Sequence, residues 1–107
     1  MIEAERYREV PGMKELAELR LELDQLDREI VSLFERRMGI SRQVAQYKLA
    51  HDLPVLDTSR EAQVIASREA MLTEGALAPA VRILYETIMA LSRDEQEKWL
   101  QEVRGDA

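Results

Sequence analysis

The sequence contains no cysteine, a single histidine and no long apolar run. Without cysteine the chain forms no disulfide, thiolate metal site or cysteine nucleophile, and His51 alone cannot build a zinc site. No segment reaches the ~20 apolar residues that a membrane-spanning helix needs. The charged residues at the start of the chain do not resemble a secretory signal. These absences predict a cytoplasmic protein without a metal site.

An excess of positive charge is missing as well. The formal charge is −6 at pH 7, 34% of the residues are charged, and Lys and Arg do not cluster in any run. Neither a nucleic acid nor an anionic membrane is therefore expected as a partner. An anionic ligand would have to be bound locally, by a few cations.

The sequence does contain one long amphipathic pattern, which we call the apolar seam. Its residues recur at steps of three and four, with no proline among them: Leu16, Leu19, Leu23, Leu26, Ile30, Leu33, Ile40, Val44 and Tyr47. This heptad spacing predicts one helix from about Lys14 to Ala50.

Two shorter helices are predicted after a break at Pro54. The segment from Thr58 to Glu61 matches a capping box, which predicts a second helix to about Leu72. Gly75 suits a helix stop and Pro79 suits a first helical turn. The apolar stripe of a third helix follows at Val81, Leu84, Tyr85, Ile88, Leu91 and Trp99. Since no segment is typical of a strand, the predicted fold class is all-α, with a three-helix protomer.

The length of the first helix predicts a dimer. Such a helix is ~55 Å long, whereas a compact chain of this size is only ~34 Å across. A second copy is the economical cover for the projecting seam, which gives an entwined homodimeric bundle. We expect one domain over residues 14–103, a flexible leader at 1–13 and a tail at 104–107.

Polar residues interrupt the apolar faces of the first helix. Arg37 occupies a seam position, and a buried guanidinium needs a core carboxylate or a ligand anion unless it extends into solvent. Lys48 follows three turns later on nearly the same face, where a solvated lysine is the alternative. Arg20 lies ~25 Å from Arg37 along the helix, so it reaches the same small molecule only from a partner chain.

The later helices add further polar candidates. Arg60 lies in a first helical turn, where the helix dipole disfavours a cation unless an anion is near, although it could also be solvated. Asp57 and Glu61 either cap the second helix or face a pocket. Ser92 and Gln96 fall on the core-facing stripe of the third helix and need hydrogen-bond partners there. Together these residues predict a polar pocket inside the bundle.

Over residues 16–96 the sequence resembles the all-helical chorismate mutases. The matching stretches are Leu19-Arg20 with Leu26-Asp27, Glu35-Arg36-Arg37, Val44 to Lys48, Pro54 to Asp57 with Arg60-Glu61, and Ser92 with Gln96. The resemblance implies a three-helix protomer whose long helices cross in a homodimer. It also implies two sites, each completed by Arg20 from the neighbouring chain, and no cofactor.

The activity implied by this resemblance is the rearrangement of chorismate to prephenate in phenylalanine and tyrosine biosynthesis. The resemblance gives carboxylate binding to Arg20 and Arg37, and ether-oxygen contacts to Lys48 and Gln96. It gives the ring hydroxyl to Glu61 near Asp57, and substrate placement to Arg60 and Ser92.

Two alternatives remain open at this point. An isochorismate-pyruvate lyase shares the scaffold but lacks equivalents of Asp57, Glu61 and Ser92, so the chain resembles it less well. A non-catalytic helical dimer that regulates a shikimate-pathway enzyme has no reason to keep Arg20, Arg37, Lys48 and Gln96 together. Such a pathway enzyme is also a candidate partner of an active mutase.

Overall fold

The structure, a computed structural model, describes residues 8–105 and consists of helices joined by short connections. The helices are α1 (Leu16–Ala50), α2 (Thr58–Ala70) and α3 (Ala78–Arg104), and a 3₁₀ helix spans Gly75–Leu77. No strand occurs between residues 8 and 105, so the predicted all-α class and the three helices are confirmed. Much of the predicted leader, residues 1–7, and the end of the tail, residues 106–107, lie outside the described residues.

The start of α2 differs from the predicted capping box. Its N-cap is Asp57, whose carboxylate accepts a hydrogen bond from the backbone N–H of Arg60 at 2.9 Å. The prediction of Thr58 as the cap was therefore wrong by one residue. An aspartate satisfies the open N–H groups of a first turn as well as a threonine does and adds a charge that the helix dipole favours.

The other helix ends follow local signals, with one further correction. Gly75 was predicted as a helix stop, but α2 ends at Ala70, short of the expected Leu72, and Gly75 instead begins the 3₁₀ helix. Pro79 lies in the first turn of α3, as predicted. Gly105 closes α3 with a left-handed φ of 74°, and its N–H donates to the carbonyls of Gln101 and Glu102. A glycine adopts this conformation without the strain that a side chain causes.

The chain divides into two compact units, and the division falls within α1, after Phe34. The described part of the first unit, residues 8–34, holds the first half of α1. Every residue in it is exposed, including the six seam residues from Leu16 to Leu33. An ion pair in this unit, from Lys14 Nζ to Glu22 Oε1 at 2.6 Å, lies on the surface. This half of the seam has no cover within its own unit.

The second unit, residues 35–105 as described, contains the rest of α1 with α2 and α3. Its buried apolar residues are Met38, Ala45, Val64, Met89 and Leu100, and its buried polar residues are Ser41, Ser92 and Gln96. The buried face of α1 therefore lies beside the seam, because Ile40, Val44 and Tyr47 remain exposed.

The predicted stripe of α3 is confirmed only in part. Val81, Tyr85, Ile88 and Trp99 are half-buried, whereas Leu84 and Leu91 are exposed. The stripe rotates toward Met89 and Leu100, which are buried. Between residues 8 and 105, no helix combines the length and the apolar character that crossing a membrane requires.

Candidate active site

The second unit contains a cavity of about 280 Å³ between the second half of α1, the connection after it, α2 and α3. Its lining includes seven of the eight predicted site residues: Arg37, Lys48, Asp57, Arg60, Glu61, Ser92 and Gln96. The remaining wall is formed by Ile40, Ser41, Val44, Val55, Val64, Met89 and Arg93. The eighth predicted residue, Arg20, lies in the first unit and is exposed.

Lys48 is held in place by two hydrogen bonds. It lies in the last turn of α1, where the helix dipole favours a cation. Its Nζ donates to the carbonyl of Val55 at 2.7 Å and to Oε1 of Gln96 at 3.1 Å. An ammonium group has three N–H donors, so one remains for a ligand. The half-buried, tethered Lys48 differs from the solvated lysine that was the alternative.

A chain of buried hydrogen bonds joins α1 to α3 beside Lys48. The hydroxyl groups of Ser41 and Ser92 lie 2.7 Å apart, and Nε2 of Gln96 donates to Oγ of Ser92 at 3.4 Å. Gln96 is only 5% exposed, so its orientation is fixed by these partners. Its amide has a second N–H that these bonds do not use.

Arg37 is half-buried at the cavity wall. No ion pair or hydrogen bond to its guanidinium occurs among residues 8–105, so the predicted alternative of a core carboxylate partner is not what the structure contains. A half-buried guanidinium without a counter-ion is stabilised when an anion binds to it from outside the chain.

The two carboxylates of the lining lie on α2. Asp57 is the N-cap, and Glu61, one turn further, receives a short hydrogen bond from Nη1 of Arg93 on α3. Glu61 was also predicted to close a capping box, but it bonds across to α3 instead. Arg60 donates to the side chain of Gln63 at 2.9 Å and is exposed at the cavity edge.

The lining carries four cations and two carboxylates, whereas the whole chain is strongly acidic. The cavity therefore concentrates positive charge locally and suits an anionic ligand. Its lining residues include no histidine or cysteine. No cluster of three or more potential metal ligands occurs within the described part of the chain. Such an arrangement can bind an anion and stabilise negative charge.

Two lining residues were missed at the level of sequence. Ser41 was not recognised because a single serine on a helix has no spacing signal, although it falls on the buried face with Met38 and Ala45. Arg93 was missed because it follows Ser92 directly and its partner, Glu61, lies on another helix. One sequence contains no signal for such a pair between helices.

Comparisons with known proteins show which family the chain resembles. A family model described as chorismate mutase type II matches residues 19–97. The T-protein of Haemophilus influenzae is 39% identical over 56 residues, which are 52% of this chain and 15% of the T-protein. The 4-amino-4-deoxychorismate mutase of Streptomyces pristinaespiralis is 29% identical over 83 residues, which are 77% of this chain and 64% of that protein.

The chain thus spans less than two thirds of either of these relatives. No solved structure matches it significantly. The family match covers most of the chain, including every residue that lines the cavity. The chain therefore belongs to the chorismate mutase type II family.

Proposed function

We propose that this protein converts chorismate to prephenate. The observation that carries the proposal is the pair of fixed donors, Lys48 and Gln96, at a cavity with an excess of positive charge. The reaction is a [3,3] rearrangement that breaks an ether C–O bond and forms a C–C bond in one step. It needs no nucleophile and no proton transfer, so the site has only to bind, orient and stabilise charge.

The substrate is a dianion, and its two carboxylates need cationic partners. We assign one carboxylate to Arg37, whose guanidinium has no partner among residues 8–105. We assign the other to Arg20 of a second chain. Bidentate arginine contacts would hold the flexible side chain of the substrate folded over the ring, which removes much of the entropic cost of the reactive geometry.

Negative charge grows on the ether oxygen as the C–O bond breaks. Lys48 and Gln96 each have an N–H that their hydrogen bonds to Val55, Ser92 and each other leave unused. Because these donors are already oriented, they need little reorganisation when the charge develops. Their interaction with the oxygen is stronger in the transition state than in the ground state, which raises kcat.

The remaining polar residues would position the ring. Glu61, near Asp57, accepts the ring hydroxyl in our assignment, while Arg60 and Ser92 support substrate placement. All four side chains line the cavity. Their roles are less direct than those of Lys48 and Gln96, since they do not contact the bond that breaks.

The proposal includes a homodimer in which Arg20 completes the neighbouring site. It is supported by the six exposed seam residues of the first unit, whose apolar surface needs a cover. We further place the activity in the cytoplasm, in phenylalanine and tyrosine biosynthesis, with another shikimate-pathway enzyme as a candidate partner.

The direct test is to incubate the purified protein with chorismate and to follow its loss together with the formation of prephenate. We expect prephenate as the product and no change in isochorismate under the same conditions. Release of pyruvate from isochorismate would favour the lyase alternative. A protein inactive on both compounds would contradict an enzymatic function.

The origin of Arg20 is tested by mixing two inactive variants. Arg20→Ala keeps Lys48, and Lys48→Ala keeps Arg20. If Arg20 acts across the interface, the mixed dimer contains one intact site, and random exchange restores about a quarter of the wild-type sites. If Arg20 acts within its own chain, every site lacks one of the two residues and mixing restores nothing.

A further inference from the structure

The ion pair between Arg93 and Glu61 lies at the cavity and has no place in the assignments above. Nη1 of Arg93 donates to Oε1 of Glu61, and both side chains line the cavity wall. Their side chains are 34% and 22% exposed. The Arg42 and Glu95 pair, by comparison, is 48% and 28% exposed and does not line the cavity. The Arg93–Glu61 pair thus differs from the Arg42–Glu95 pair in two ways: it lines the cavity, and its side chains are less exposed.

The partner of Arg93 is the carboxylate to which we assigned the ring substituent of the substrate. A carboxylate has two oxygens and about four acceptor positions, so Oε1 can hold Arg93 while Oε2 stays available to a donor. The guanidinium compensates the charge of Glu61, and Arg60 adds another cation to the same wall. At this end of the cavity Glu61 therefore offers a hydrogen-bond acceptor with little net negative charge.

A compensated carboxylate discriminates between two ring substituents. A hydroxyl group is neutral and needs only an acceptor. An alkyl amine is largely protonated near neutral pH, and it would meet the positive charge of Arg93 beside the acceptor. The distinction matters in this family, since one relative is named 4-amino-4-deoxychorismate mutase.

We propose that Arg93 is a specificity-determining residue that, through its pair with Glu61, makes the site select a ring hydroxyl over a ring ammonium group. This inference rests on the proposed function, because it assumes that the ring substituent lies against Glu61. It assigns to Arg93 a role in substrate choice and none in the bond rearrangement itself.

The test compares kcat/KM for chorismate and for 4-amino-4-deoxychorismate in the wild type and in Arg93→Met. We expect the wild type to prefer chorismate by at least about tenfold, which corresponds to ~1.4 kcal/mol. Arg93→Met leaves Glu61 with an uncompensated charge that attracts the ammonium group. The ratio of the two kcat/KM values should then move at least tenfold toward the amino substrate.

Two variants separate charge from packing. Arg93→Lys keeps the positive charge and should keep most of the wild-type preference. Arg42→Met removes a guanidinium from an ion pair of the same unit that does not line the cavity, and it should leave the ratio unchanged. A merely structural role of Arg93 would lower both kcat/KM values in parallel and leave their ratio as it was.

If Arg93→Met does not fold, Glu61→Gln tests the same pair from the other side. It leaves Arg93 uncompensated, so the amino substrate should lose more than chorismate does. An unchanged ratio of the two kcat/KM values in the folded Arg93 or Glu61 variant would overturn the inference. Turnover of chorismate by the wild type would still leave the proposed function intact. A wild type that prefers the amino substrate would also overturn the inference, whereas a wild type inactive on both would overturn the proposed function as well.

Discussion

The two halves of α1 invert the usual distribution of polar and apolar residues. Between Leu16 and Phe34 the helix has apolar side chains at heptad spacing, and all of them are exposed. After Phe34 the same helix buries a serine and holds a lysine half-buried. The first half exposes an apolar stripe, and the second half includes polar side chains in its buried face.

The difference teaches that each half is incomplete in its own way. Exposed apolar surface is stabilised by contact with another apolar surface, and we propose that a second copy of the chain supplies it. Half-buried cations and buried hydrogen-bond donors are stabilised by an anion. The first half therefore points to a protein partner and the second half to a ligand, and substitutions in each half should fail differently.

The largest effect is expected from a charge in the exposed seam. Leu26→Glu places a carboxylate where we propose the two chains to meet, and the symmetry of a dimer introduces it twice. Loss of two buried leucine contacts costs ~3–6 kcal/mol, which is more than a hundredfold in the dissociation constant. Sedimentation velocity should show monomers, and activity should fall with dimer content.

The matched control for that substitution is Leu21→Glu. Leu21 is 62% exposed, as against 53% for Leu26, but it lies off the seam on the same stretch of helix. The Leu21→Glu variant should remain dimeric and active. A dimer that tolerates Leu26→Glu would remove the distinction between the two halves of α1.

The next effect concerns the cations of the second half. Lys48→Ala and Arg37→Ala should each lower kcat/KM at least a hundredfold, on the order of 3 kcal/mol of transition-state stabilisation. For Lys48→Ala the loss should fall more on kcat than on KM, because Lys48 faces charge that develops only in the transition state. Steady-state kinetics with chorismate separates the two constants.

Lys98→Ala is the control for these variants. Lys98 also lies in the second unit, is 71% exposed and pairs with Glu95 at 3.8 Å, so its loss should leave the rate unchanged. Both Lys48→Ala and Arg37→Ala should stay dimeric, in contrast to Leu26→Glu. A near-wild-type rate in either would contradict the roles assigned to them.

A smaller effect, and one that depends on pH, is expected at Gln96. A neutral amide donates a hydrogen bond at every pH, so this position imposes no rate loss on the wild type between pH 5 and 8. In Gln96→Glu only the protonated carboxyl can donate, and the ionised form repels the ether oxygen. The kcat/KM of Gln96→Glu should be low at neutral pH and rise as the pH falls. A pH profile that is the same for both proteins would exclude Gln96 as a donor to the reacting oxygen.

The smallest effect is expected at the start of α2. Asp57→Ala removes the N-cap and should lower the free energy of unfolding by ~1 kcal/mol, whereas Asp57→Asn keeps a capping oxygen and should cost less. Denaturant unfolding measures both. If Asp57→Asn unfolds like the wild type but raises KM as much as Asp57→Ala does, the charge of Asp57 serves the ligand more than the helix.

The sequence predicted the helices well because long heptad spacing and proline positions are local signals. The seam predicted the start of α1 to within two residues and predicted the end of the helix correctly at Ala50. The ends of α2 were less accurate, because Asp57 and Thr58 are both good caps and only the backbone path decides between them. Gly75 was also mistaken for a helix stop, whereas it begins the 3₁₀ helix.

The candidate site was predictable where a polar residue interrupted an apolar pattern, as at Arg37, Ser92 and Gln96. The resemblance to the family added no further residue and supplied the role expected of each one. The links between elements were not predictable. The bond from Lys48 to the Val55 carbonyl and the pair of Arg93 with Glu61 depend on how the helices pack, which no single helix encodes.

The hydrogen bond from Lys48 to the backbone of Val55 has a consequence for the connection between α1 and α2. Surface connections ordinarily tolerate insertions and deletions. Here the connection turns back at Asp52, where φ is 53°, and delivers a carbonyl to the ammonium group of Lys48 at 2.7 Å. One residue more or less would displace that carbonyl by ~3.5 Å and leave the lysine free to swing. If Lys48 acts as we propose, the length of this short turn sets the position of its ammonium group, and lengthening the turn should slow turnover even where the helices stay folded.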